Sequence, residues 1–571
     1  MCRATHSTSG WTQSLRRPNI SDIFPLQLIT GFSSCRSCTA PPNLFTSYPK
    51  MAIEDLFAKY KKPNIVIIIT DQQRALQHYP RDFIYRLPAL KQLMSNGLSF
   101  DRAFTAASAC APSRATFLTS QYPAKHKTTD TGQLQPKEPL NTQLPNLAHV
   151  LGKAGYKTRA WLGKWHLGEI DTSPIEAGFT EWDDPDAGIT ISDYNTLGGG
   201  EADNDSRYLA DMLKFVERQD EKAEDPFCLV ASFVNPHDGF VAFRGLGGSG
   251  YASSTLTEAI VELPRNYRQH LNEHLLDNLH SEPRAHASAS WWTFARPGSK
   301  MPPKHRPQDY VNFYAYLQIL VDRQIEQLLD GLAKQNLIDN TLIIRFADHG
   351  EMAMSHGLVE KFFNAYEESI RIPFVFSNPV AWPTAQTTQS LASSVDLTPT
   401  IASLLGVEWH KPEEAIPATA NPTIFYGQDL SPILNNPTST VQESIHFTYD
   451  DNPAVIPPPE DKPKQRILHP SIVRTIRTDK WKYSVYFNEQ DEAKAEGAEG
   501  DWELYDLEAD PYEDNNLAGN GDPEINKQQW ELERQLQEAM NRLGTMPTAF
   551  KWPPQKTLLS RGAPATKPTD I

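Results

Sequence analysis

The chain has 571 residues, of which 39% are hydrophobic and 22% charged, a balance typical of a soluble globular protein with a large buried core. Its formal net charge of -16 excludes attraction to nucleic acid or anionic membrane surfaces through bulk charge, so an anionic substrate would need a locally positive pocket. No apolar run approaches the roughly 18 residues of a membrane span, and five cysteines, an odd and sparse set, do not indicate a disulfide framework.

Residues 1–50 differ in composition from the rest of the chain. They contain four arginines and one lysine against a single acid, Asp22, among many serines and threonines. This composition is typical of an organellar transit peptide, although Met51 is an equally good start, in which case the leader would be an artefact of gene prediction. We therefore expect a leader of one of these two kinds, and a cytoplasmic or organellar location rather than a secreted one.

Strand and helix patterns alternate from Lys61 onward. In Asn64–Thr70 the apolar run is continuous, as a strand buried on both faces requires. Further strands are predicted at Lys157–Leu162, Phe227–Val234 and Thr341–Ala347, and helices at Leu87–Asn96, Asn146–Lys153 and Val311–Leu332. The alternation predicts a large α/β domain, residues 51–437, around a mostly parallel sheet sandwiched by helices.

Residues 239–307 interrupt this alternation. A Gly/Ser-rich segment, Gly245–Ser254, is followed by a polar stretch rich in His and Arg and by Trp291-Trp292. We interpret residues 239–307 as an insertion that carries substrate specificity, because loops on a rigid scaffold often do so. A surface elaboration without a ligand role is the alternative.

The pattern changes again after two Pro-rich segments. Strands are predicted within Arg474–Phe487 and at Trp502–Leu507, and an amphipathic helix is predicted at Gln528–Leu543. Strands that precede a helix, rather than alternate with helices, indicate the α+β class. We therefore predict a smaller α+β domain at residues 438–545, followed by a tail at 546–571.

Pairs of polar residues follow two of the predicted strands. Asp71 and Gln72 come directly after the first strand, and Asp348 and His349 follow Thr341–Ala347. Because open α/β sheets bind ligands at the carboxyl ends of their strands, these side chains are expected to converge on one divalent cation. A strand that ends in Asp is as often followed by a cap or a turn, which is the alternative for Asp71.

Cys110 has the most distinctive setting of the cysteines. The sequence Cys110-Ala-Pro-Ser-Arg114 places Pro112 in the first turn of a predicted helix, so Cys110 lies at the helix N-terminus. Free backbone N–H groups there favour an anion or a nucleophile. Arg114, four residues on along the same face, matches the oxygens of sulfate or phosphate. A buried structural cysteine is the alternative.

Two further clusters supply cations and imidazoles. Lys164 and His166 flank Trp165 after the next predicted strand, and in extended geometry both would point into one cleft. Such a pair suits binding an anion and moving a proton. His237, in Asn-Pro-His-Asp, and Lys361 are further candidates. Solvated loop or surface positions are the alternative for all of them.

Together these motifs resemble the type I sulfatases, the formylglycine-dependent family that includes arylsulfatases and choline sulfatases. The resemblance rests on an ordered set of motifs: Cys110-Ala-Pro-Ser-Arg114, Gly163-Lys-Trp-His-Leu-Gly168, Pro236-His237, Asp348-His-Gly350, Tyr366-Glu-Glu-Ser-Ile-Arg-Ile-Pro373, Val395-Asp-Leu-Thr-Pro-Thr400 and Glu503-Leu-Tyr-Asp-Leu-Glu-Ala-Asp-Pro511. The set covers roughly residues 61–543. It implies an alkaline-phosphatase-like α/β fold with a smaller C-terminal domain.

The resemblance also implies a role for each candidate residue. Cys110 would be oxidised to formylglycine (3-oxoalanine) by a formylglycine-generating enzyme, and the hydrated aldehyde would be the nucleophile that attacks the sulfate ester. Arg114 and Lys164 would hold and activate this hydrate. His166 would assist breakdown of the covalent sulfo-enzyme intermediate.

A substrate and a metal site are implied in the same way. His237 and Lys361 would contact the sulfate of a small-molecule or carbohydrate ester and help the leaving oxygen depart. The metal ligands would be Asp71, Gln72, Cys110, Asp348 and His349. Many members have Asp and Asn at the positions of Gln72 and His349. The family metal is calcium, but a nitrogen ligand leaves magnesium or manganese open.

Two alternatives to a sulfatase follow from particular residues. The family usually continues Leu-Thr-Gly and then Arg or Lys, whereas this chain has Leu118-Thr-Ser-Gln121, in a segment that helps the modifying enzyme recognise its target. If Cys110 stayed unmodified, the chain would be a catalytically silent sulfatase-like protein. The other alternative is a phosphonate monoester or phosphodiester hydrolase, which shares the cysteine motif and the Asp/Gln/Asp/His metal set but lacks the pair Lys164 and His166.

Overall fold

The structure is a computed structural model that describes residues 52–547 except 131–137, 169–172, 184, 190–192, 245, 268–285, 287–305, 415–421, 451–454, 457–466, 469, 471 and 488–500. The predicted leader at 1–50, most of the predicted tail at 546–571 and much of the predicted insertion at 239–307 lie outside the described residues. The boundaries of the predicted domains stay predictions.

Sixteen strands and eight helices of seven residues or more lie in the described part of the chain. The strands are β1 (Asn64–Asp71), β2 (Gly97–Phe100), β3 (Ala103–Phe104), β4 (Ala107–Ser108), β5 (Thr158–Gly163), β6 (Phe227–Pro236), β7 (Thr341–Ala347), β8 (Phe374–Ser377), β9 (Gln386–Thr388), β10 (Ala392–Ser393), β11 (Ser444–Asp450), β12 (Val455–Ile456), β13 (Ile467–Leu468), β14 (Ile472–Thr478), β15 (Trp481–Phe487) and β16 (Asp501–Asp506). The helices are α1 (Ile53–Tyr60), α2 (Pro88–Ser95), α3 (Cys110–Thr119), α4 (Leu147–Lys153), α5 (Asn204–Glu217), α6 (Arg306–Lys334), α7 (Leu397–Leu404) and α8 (Pro523–Leu543). Shorter helical segments occur at Pro123–His126, Val241–Arg244, Thr255–Glu258, Glu367–Ile370 and Ser431–Asn435.

A seven-stranded sheet in the order β5-β6-β1-β7-β8-β2-β9 forms the centre of the larger domain. β5, β6, β1 and β7 run parallel, and β8 is antiparallel to β7. β2 pairs antiparallel with β8 and parallel with β9. The predicted strand Asn64–Thr70 is β1, which lies between two parallel neighbours and is buried along its whole length. The prediction of a mostly parallel sheet is confirmed.

Alternate residues of β1 pack into different cores on the two faces of this sheet. Val66 and Ile68 lie in one core, with side chains of α2, α5 and α6. Ile65, Ile67 and Ile69 lie in the other, with side chains of α3, α4 and α7. This is the period-two geometry of a strand. Because each fully buried Val or Ile contributes about 1.5–3 kcal/mol, β1 holds helices to both faces of the sheet.

The second sheet has the order β16-β15-β14-β11-β4. β11, β14, β15 and β16 are antiparallel neighbours, and α8 packs against them through Leu532, Leu536 and Met540. The prediction of a smaller C-terminal α+β unit is therefore confirmed. β4 pairs in parallel with β11 and ends two residues before Cys110, so this sheet also contacts the segment that leads into α3.

Helix and strand bounds differ from the predicted ones mainly at element ends. α8 begins at Pro523, five residues before the predicted Gln528, because the side chain of Asp522 caps it by accepting from the backbone N–H of Glu524 and Ile525. The predicted strand region Arg474–Phe487 is a hairpin of β14 and β15. None of the described helices, including the 29-residue α6, is apolar enough over a sufficient length to span a bilayer.

Candidate active site

Four candidate segments meet at one edge of the seven-stranded sheet. β5, β6, β1 and β7 are parallel neighbours, so their carboxyl ends lie side by side. Asp71 ends β1, Lys164 follows β5, His237 follows β6 and Asp348 follows β7. The structure thus brings together residues that are far apart in the sequence.

Four side chains at this edge form a group that could hold a metal ion: Asp71, Cys110, Asp348 and His349. Their ligand atoms all lie within 4.8 Å of one another, and all four residues are buried. The Sγ of Cys110 lies 3.6 Å from Asp71 Oδ1 and 3.2 Å from His349 Nε2. Two carboxylates and an imidazole around one point suit a divalent cation, so the donor set fits the metal that the resemblance implies.

The ionisable groups of this set have shifted pKa values. Burial raises the pKa of Asp71, but positive neighbours, Lys164 first among them, outweigh burial and hold this pKa well below its usual value. Burial and the charge of Asp71 raise the pKa of Asp348. Burial lowers the pKa of His349, but the charges of Asp348 and Cys110 outweigh it and raise the pKa to about 9. At neutral pH these shifts leave Asp71 ionised and the imidazole of His349 protonated.

Cys110 is the first residue of α3, which is buried throughout. The first turn of α3 is tied to the metal group because Ser113 Oγ donates to the carbonyl oxygen of Asp348 at 2.5 Å and lies 3.1 Å from Thr105 Oγ1. A helix N-terminus presents free backbone N–H groups and the positive end of its dipole. The position of Cys110 therefore suits a group that becomes negatively charged.

The guanidinium of Arg114 bridges the two carboxylates of the metal group. Nε donates to Asp348 Oδ2 at 3.0 Å, and Nη2 donates to Asp71 Oδ2 at 3.1 Å. Nη1 donates to the carbonyl oxygen of Lys164 at 2.9 Å and to Ser232 Oγ at 3.0 Å. Because Arg114 is fully buried, these charged hydrogen bonds fix the relative positions of the two carboxylates.

Lys164 and His166 are buried at the same edge. Lys164 Nζ lies 2.5 Å from Asp71 Oδ2 and also donates to the carbonyl oxygen of Gly188. The extended geometry expected for this segment is wrong, because the backbone turns at His166 with φ of 57°. Asp186 holds the turn, since its carboxylate accepts from the backbone N–H of His166 at 2.7 Å.

Two imidazoles at the site are held in the neutral form. Burial, together with the charge of Lys164, keeps the pKa values of His166 and His237 well below the usual value. Both ring nitrogens of His166 and the Nδ1 of His237 lack a hydrogen-bond partner among the described residues. Because buried polar atoms without partners are unfavourable, these nitrogens are suited to contact a ligand.

Gln72 and Lys361 contact each other beside the metal group. Lys361 Nζ donates to Gln72 Oε1 at 2.5 Å and to Glu360 Oε2 at 3.0 Å. Burial lowers the pKa of Lys361, but the charges of Cys110 and Glu360 outweigh burial and raise it, so the ammonium stays charged. The amide oxygen of Gln72, the predicted ligand atom, is therefore paired with a cationic side chain.

Several residues that support the site were not singled out from the sequence. Asp186 and Ser232 lie in no recognisable motif, and their contacts depend on atoms of the folded chain. Glu351, which accepts from Gln72 Nε2 at 2.5 Å, directly follows the Asp-His-Gly motif. Its position directly after that motif is the one signal that could have indicated a role for Glu351 in the site.

Buried basic side chains lie at the site although the whole chain carries a net charge of -16. Arg114, Lys164 and Lys361 are each at most 2% exposed and lie within hydrogen-bond or ion-pair distance of the metal group or of Gln72. A buried cation acts at short range and is screened little by salt. Basic side chains therefore lie beside the metal group, each paired with a carboxylate of the site.

Comparison with known families gives two matches that overlap along the chain. The sulfatase family model matches residues 63–407. The model for the C-terminal region of N-sulphoglucosamine sulphohydrolase matches residues 354–542.

Two relatives cover most of the chain. The choline-sulfatase of Rhizobium meliloti (strain 1021) is 29% identical over 487 residues, which is 80% of this chain and 83% of the relative. The N-acetylglucosamine-6-O-sulfatase of Bacteroides thetaiotaomicron is 26% identical over 534 residues, or 84% of this chain and 87% of the relative.

Solved structures share the fold at low sequence identity. A protein in complex with its substrate D-glucosamine-2-N,6-O-disulfate has a TM-score of 0.60 at 22% identity, covering 86% of this chain and 100% of that one. The phosphonate monoester hydrolase of Silicibacter pomeroyi has a TM-score of 0.59 at 21% identity, covering 86% and 96%. At these identities the likeness concerns the fold alone, and it confirms the alkaline-phosphatase-like architecture.

Proposed function

The chain belongs to the sulfatase family, whose model matches more than half of it, and from this premise we propose that it hydrolyses a sulfate ester to an alcohol and inorganic sulfate. One observation carries the proposal: Cys110 begins a buried helix and lies in one group with the carboxylates of Asp71 and Asp348. A reactive group at this position would face a cation and buried basic side chains, as hydrolysis of an anionic ester requires.

The nucleophile is proposed to be formylglycine, formed when a formylglycine-generating enzyme oxidises Cys110. Water adds to the aldehyde, and one oxygen of the hydrate attacks sulfur. The bond from sulfur to the alcohol oxygen breaks, so the alcohol leaves as the covalent sulfo-enzyme intermediate forms. Loss of the proton on the second hydroxyl then breaks the bond to sulfate and restores the aldehyde. A serine or a thiol has no second hydroxyl and could not complete this last step.

The basic residues of the site are proposed to move protons and to hold sulfate. Arg114 and Lys164 would hold the hydrate. His166, neutral because of its lowered pKa, can accept the proton that is lost when sulfate leaves. His237 and Lys361 would contact the sulfate oxygens and help the leaving oxygen depart, which the unpartnered Nδ1 of His237 supports.

One divalent metal ion is proposed to complete the site. Its ligands would be Asp71, Gln72, Asp348, His349 and the modified residue at position 110. When bound, the ion supplies positive charge that stabilises the oxygens of the sulfate group during the reaction. Calcium is the family metal, and the nitrogen ligand His349 leaves magnesium or manganese open.

A small-molecule or carbohydrate sulfate ester is proposed as the substrate. The relatives named above are a choline-sulfatase and an N-acetylglucosamine-6-O-sulfatase, so esters of both kinds occur among proteins similar to this one. Three buried cations, Arg114, Lys164 and Lys361, supply charge for one sulfate group.

Sulfate release from an aryl sulfate tests the proposal. Cys110→Ala is expected to reduce turnover to background while the fold stays intact, and Cys110→Ser is expected to do nearly the same, because neither side chain forms the aldehyde hydrate. Cys228→Ala is the matched control, since Cys228 is also a buried free cysteine but lies in the second residue of β6, away from the carboxyl edge. It should retain turnover.

Equal turnover by Cys110→Ala and the parent protein would contradict the proposal. The intact mass of the tryptic peptide that contains Cys110 shows whether the residue is oxidised. An unmodified thiol with no turnover would indicate the catalytically silent alternative.

A phosphonate monoester or phosphodiester hydrolase is the second candidate function. Gln72 and His349 at the metal group are compatible with it, since phosphonate monoester hydrolases and choline sulfatases both carry this set, and the solved phosphonate monoester hydrolase shares the fold. The buried pair Lys164 and His166 argues against it, because these enzymes lack such a pair.

A further inference from the structure

Glu351 contacts the side chain of Gln72 and is not one of the proposed catalytic residues. It is fully buried, and its Oε2 accepts a hydrogen bond from Gln72 Nε2 at 2.5 Å. We propose that Glu351 is a positioning residue that, with Glu360 and Lys361, holds the side-chain amide of Gln72 with its nitrogen toward the two glutamates and its oxygen toward Lys361, so that the oxygen is the atom it can offer to a metal. This inference rests on the metal role proposed for Gln72.

The partners of the Gln72 amide all favour one of its two flipped orientations. Nε2 donates to Glu351 Oε2 and to Glu360 Oε2, the latter at 3.0 Å, while Oε1 accepts from Lys361 Nζ at 2.5 Å. In the flipped orientation Oε1 would face carboxylate oxygens that cannot donate, and the amide N–H groups would face an ammonium that cannot accept. The observed orientation is therefore set by its neighbours.

Glu351 is itself held in place by donors on its other oxygen. Its Oε1 accepts from Tyr310 Oη at 2.8 Å, from the backbone N–H of Ala353 at 2.9 Å and from the backbone N–H of Glu360 at 2.7 Å. Oε2 is left to accept from Gln72. Because both oxygens must accept, a side chain that carries one oxygen and one NH₂ group at position 351 cannot satisfy both sides.

The backbone of Gln72 is fixed by other residues. Its φ of 66° lies in the left-handed region, which a residue other than glycine adopts only where its surroundings compensate. Its N–H donates to Asp348 Oδ1 at 3.0 Å, and its carbonyl oxygen accepts from Tyr314 Oη at 2.7 Å. With the backbone set in this way, the orientation of the side-chain amide is the freedom that Glu351 restricts, together with Glu360 and Lys361.

An isosteric amide at position 351 tests the inference. In Glu351→Gln, the oxygen of the new side chain would accept from Tyr310 and the two backbone N–H groups, and its NH₂ would face the NH₂ of Gln72. The contact between two donors would displace the Gln72 amide from the orientation that Glu360 and Lys361 still favour, and its oxygen would be less well placed for a metal. We expect Ca²⁺ affinity to fall about tenfold or more, as is typical when a residue that supports a metal ligand is changed.

A control variant and a rescue variant accompany this measurement. Glu503→Gln is the control, because Glu503 is a buried carboxylate that accepts from Tyr486 Oη at 2.5 Å and Tyr505 Oη at 3.0 Å in the second sheet. It should leave Ca²⁺ affinity unchanged. The swapped pair Gln72→Glu/Glu351→Gln again places a donor opposite an acceptor, and it is expected to bind Ca²⁺ more tightly than either single variant.

Ca²⁺ affinity is measured by calorimetry on substrate-free protein, with Mg²⁺ and Mn²⁺ titrated in parallel, and circular dichroism reports the fold. Equal affinity of Glu351→Gln and the parent overturns the inference, as does a swapped pair that binds no more tightly than its single variants. If Glu351→Gln fails to fold, Tyr310→Phe, which removes one donor from Glu351 and touches no metal ligand, is measured instead. Weaker Ca²⁺ binding supports the inference and unchanged binding overturns it.

The metal measurement also separates this inference from the proposed function. An inactive parent protein that binds Ca²⁺ contradicts sulfate ester hydrolysis but leaves the role of Glu351 testable by affinity alone. A parent protein that binds none of the three ions overturns the role of Glu351 together with the proposed metal site.

Discussion

Asp348 joins the metal group to the residues around it. Its Oδ1 accepts from the backbone N–H groups of Gln72 at 3.0 Å and His349 at 2.9 Å, and its Oδ2 accepts from Arg114 Nε at 3.0 Å. Loss of this carboxylate would remove a metal ligand and would leave the buried guanidinium of Arg114 with one carboxylate partner instead of two.

We predict that Asp348→Ala lowers kcat/KM for an aryl sulfate by roughly a hundredfold or more, since it removes a proposed ligand of the metal whose charge would stabilise the sulfate oxygens. Removing the metal with a chelator should cause a comparable loss that added metal reverses. Asp322→Ala is the matched control, because Asp322 is also buried and paired, with Arg345 at 2.8 Å, but lies outside the metal group. It should lower stability and leave metal affinity unchanged, and a metal-free preparation with full turnover would refute the prediction.

The types of the site residues could be predicted from the sequence, whereas their contacts could not. Asp71 and Asp348 come directly after predicted strands, and Lys164 comes two residues after one. The edge at which they meet therefore follows from parallel pairing. The bridging of two carboxylates by Arg114, and the turn that Asp186 imposes at His166, depend on side chains from several strands. No spacing along the chain specifies these side-chain contacts.

Among the elements of the second sheet, β11 carries a histidine whose titration should affect stability. His446 is buried, with Nδ1 2.9 Å from the carbonyl oxygen of Thr475 and Nε2 2.9 Å from Thr545 Oγ1. Burial lowers its pKa from 6.5 to about 3. The folded chain therefore binds fewer protons at this group than the unfolded chain between pH 6.5 and about 3.

This pKa shift predicts that His446 contributes its full stability above pH 6.5 and less at each lower pH, by about 1.4 kcal/mol per pH unit. His446→Gln should be less stable than the parent at pH 7, but its deficit in unfolding free energy should shrink by about that amount per unit between pH 6 and pH 4. Urea unfolding at these pH values measures the deficit. A deficit that stays constant with pH would show that the histidine does not titrate as described.

Long buried elements were predictable, and short ones were not. β1 and β7 match their predicted ranges almost residue for residue, because a strand buried on both faces needs a continuous apolar run. β3, β4 and β10 have two residues each and exist through pairing with distant segments, β3 with β10 and β4 with β11. A two-residue strand has no periodicity that a sequence can reveal.

The order of strands in the central sheet was also beyond the sequence pattern. Alternating strands and helices predict parallel neighbours, and four of the seven strands are parallel neighbours. The antiparallel strand β8 between β7 and β2 depends on tertiary packing. The overall class was therefore predictable, but the topology had to be observed.

For the molecule as a whole, the main alternatives are a sulfate monoester and a phosphonate monoester or phosphate diester as substrate. Each carries one negative charge, so charge does not separate them. A phosphonate monoester or diester has a carbon-bearing group where a sulfate ester has another free oxygen. In addition to the roles proposed above, the remaining N–H of Lys164 and an N–H of His166 would donate to that oxygen. A buried donor left without an acceptor costs about 1–3 kcal/mol, so two donors together could discriminate by roughly a hundredfold or more.

Sulfate ester hydrolysis is tested most directly by two values of kcat/KM. One is measured for an aryl sulfate and the other for the matching aryl phosphonate monoester. Lys164→Ala and His166→Ala are measured in parallel, with melting temperature as the check on the fold. We predict that the parent enzyme prefers the sulfate and that each variant narrows the ratio. A parent enzyme that prefers the phosphonate monoester would contradict the assignment as a sulfatase and the roles proposed for Lys164 and His166.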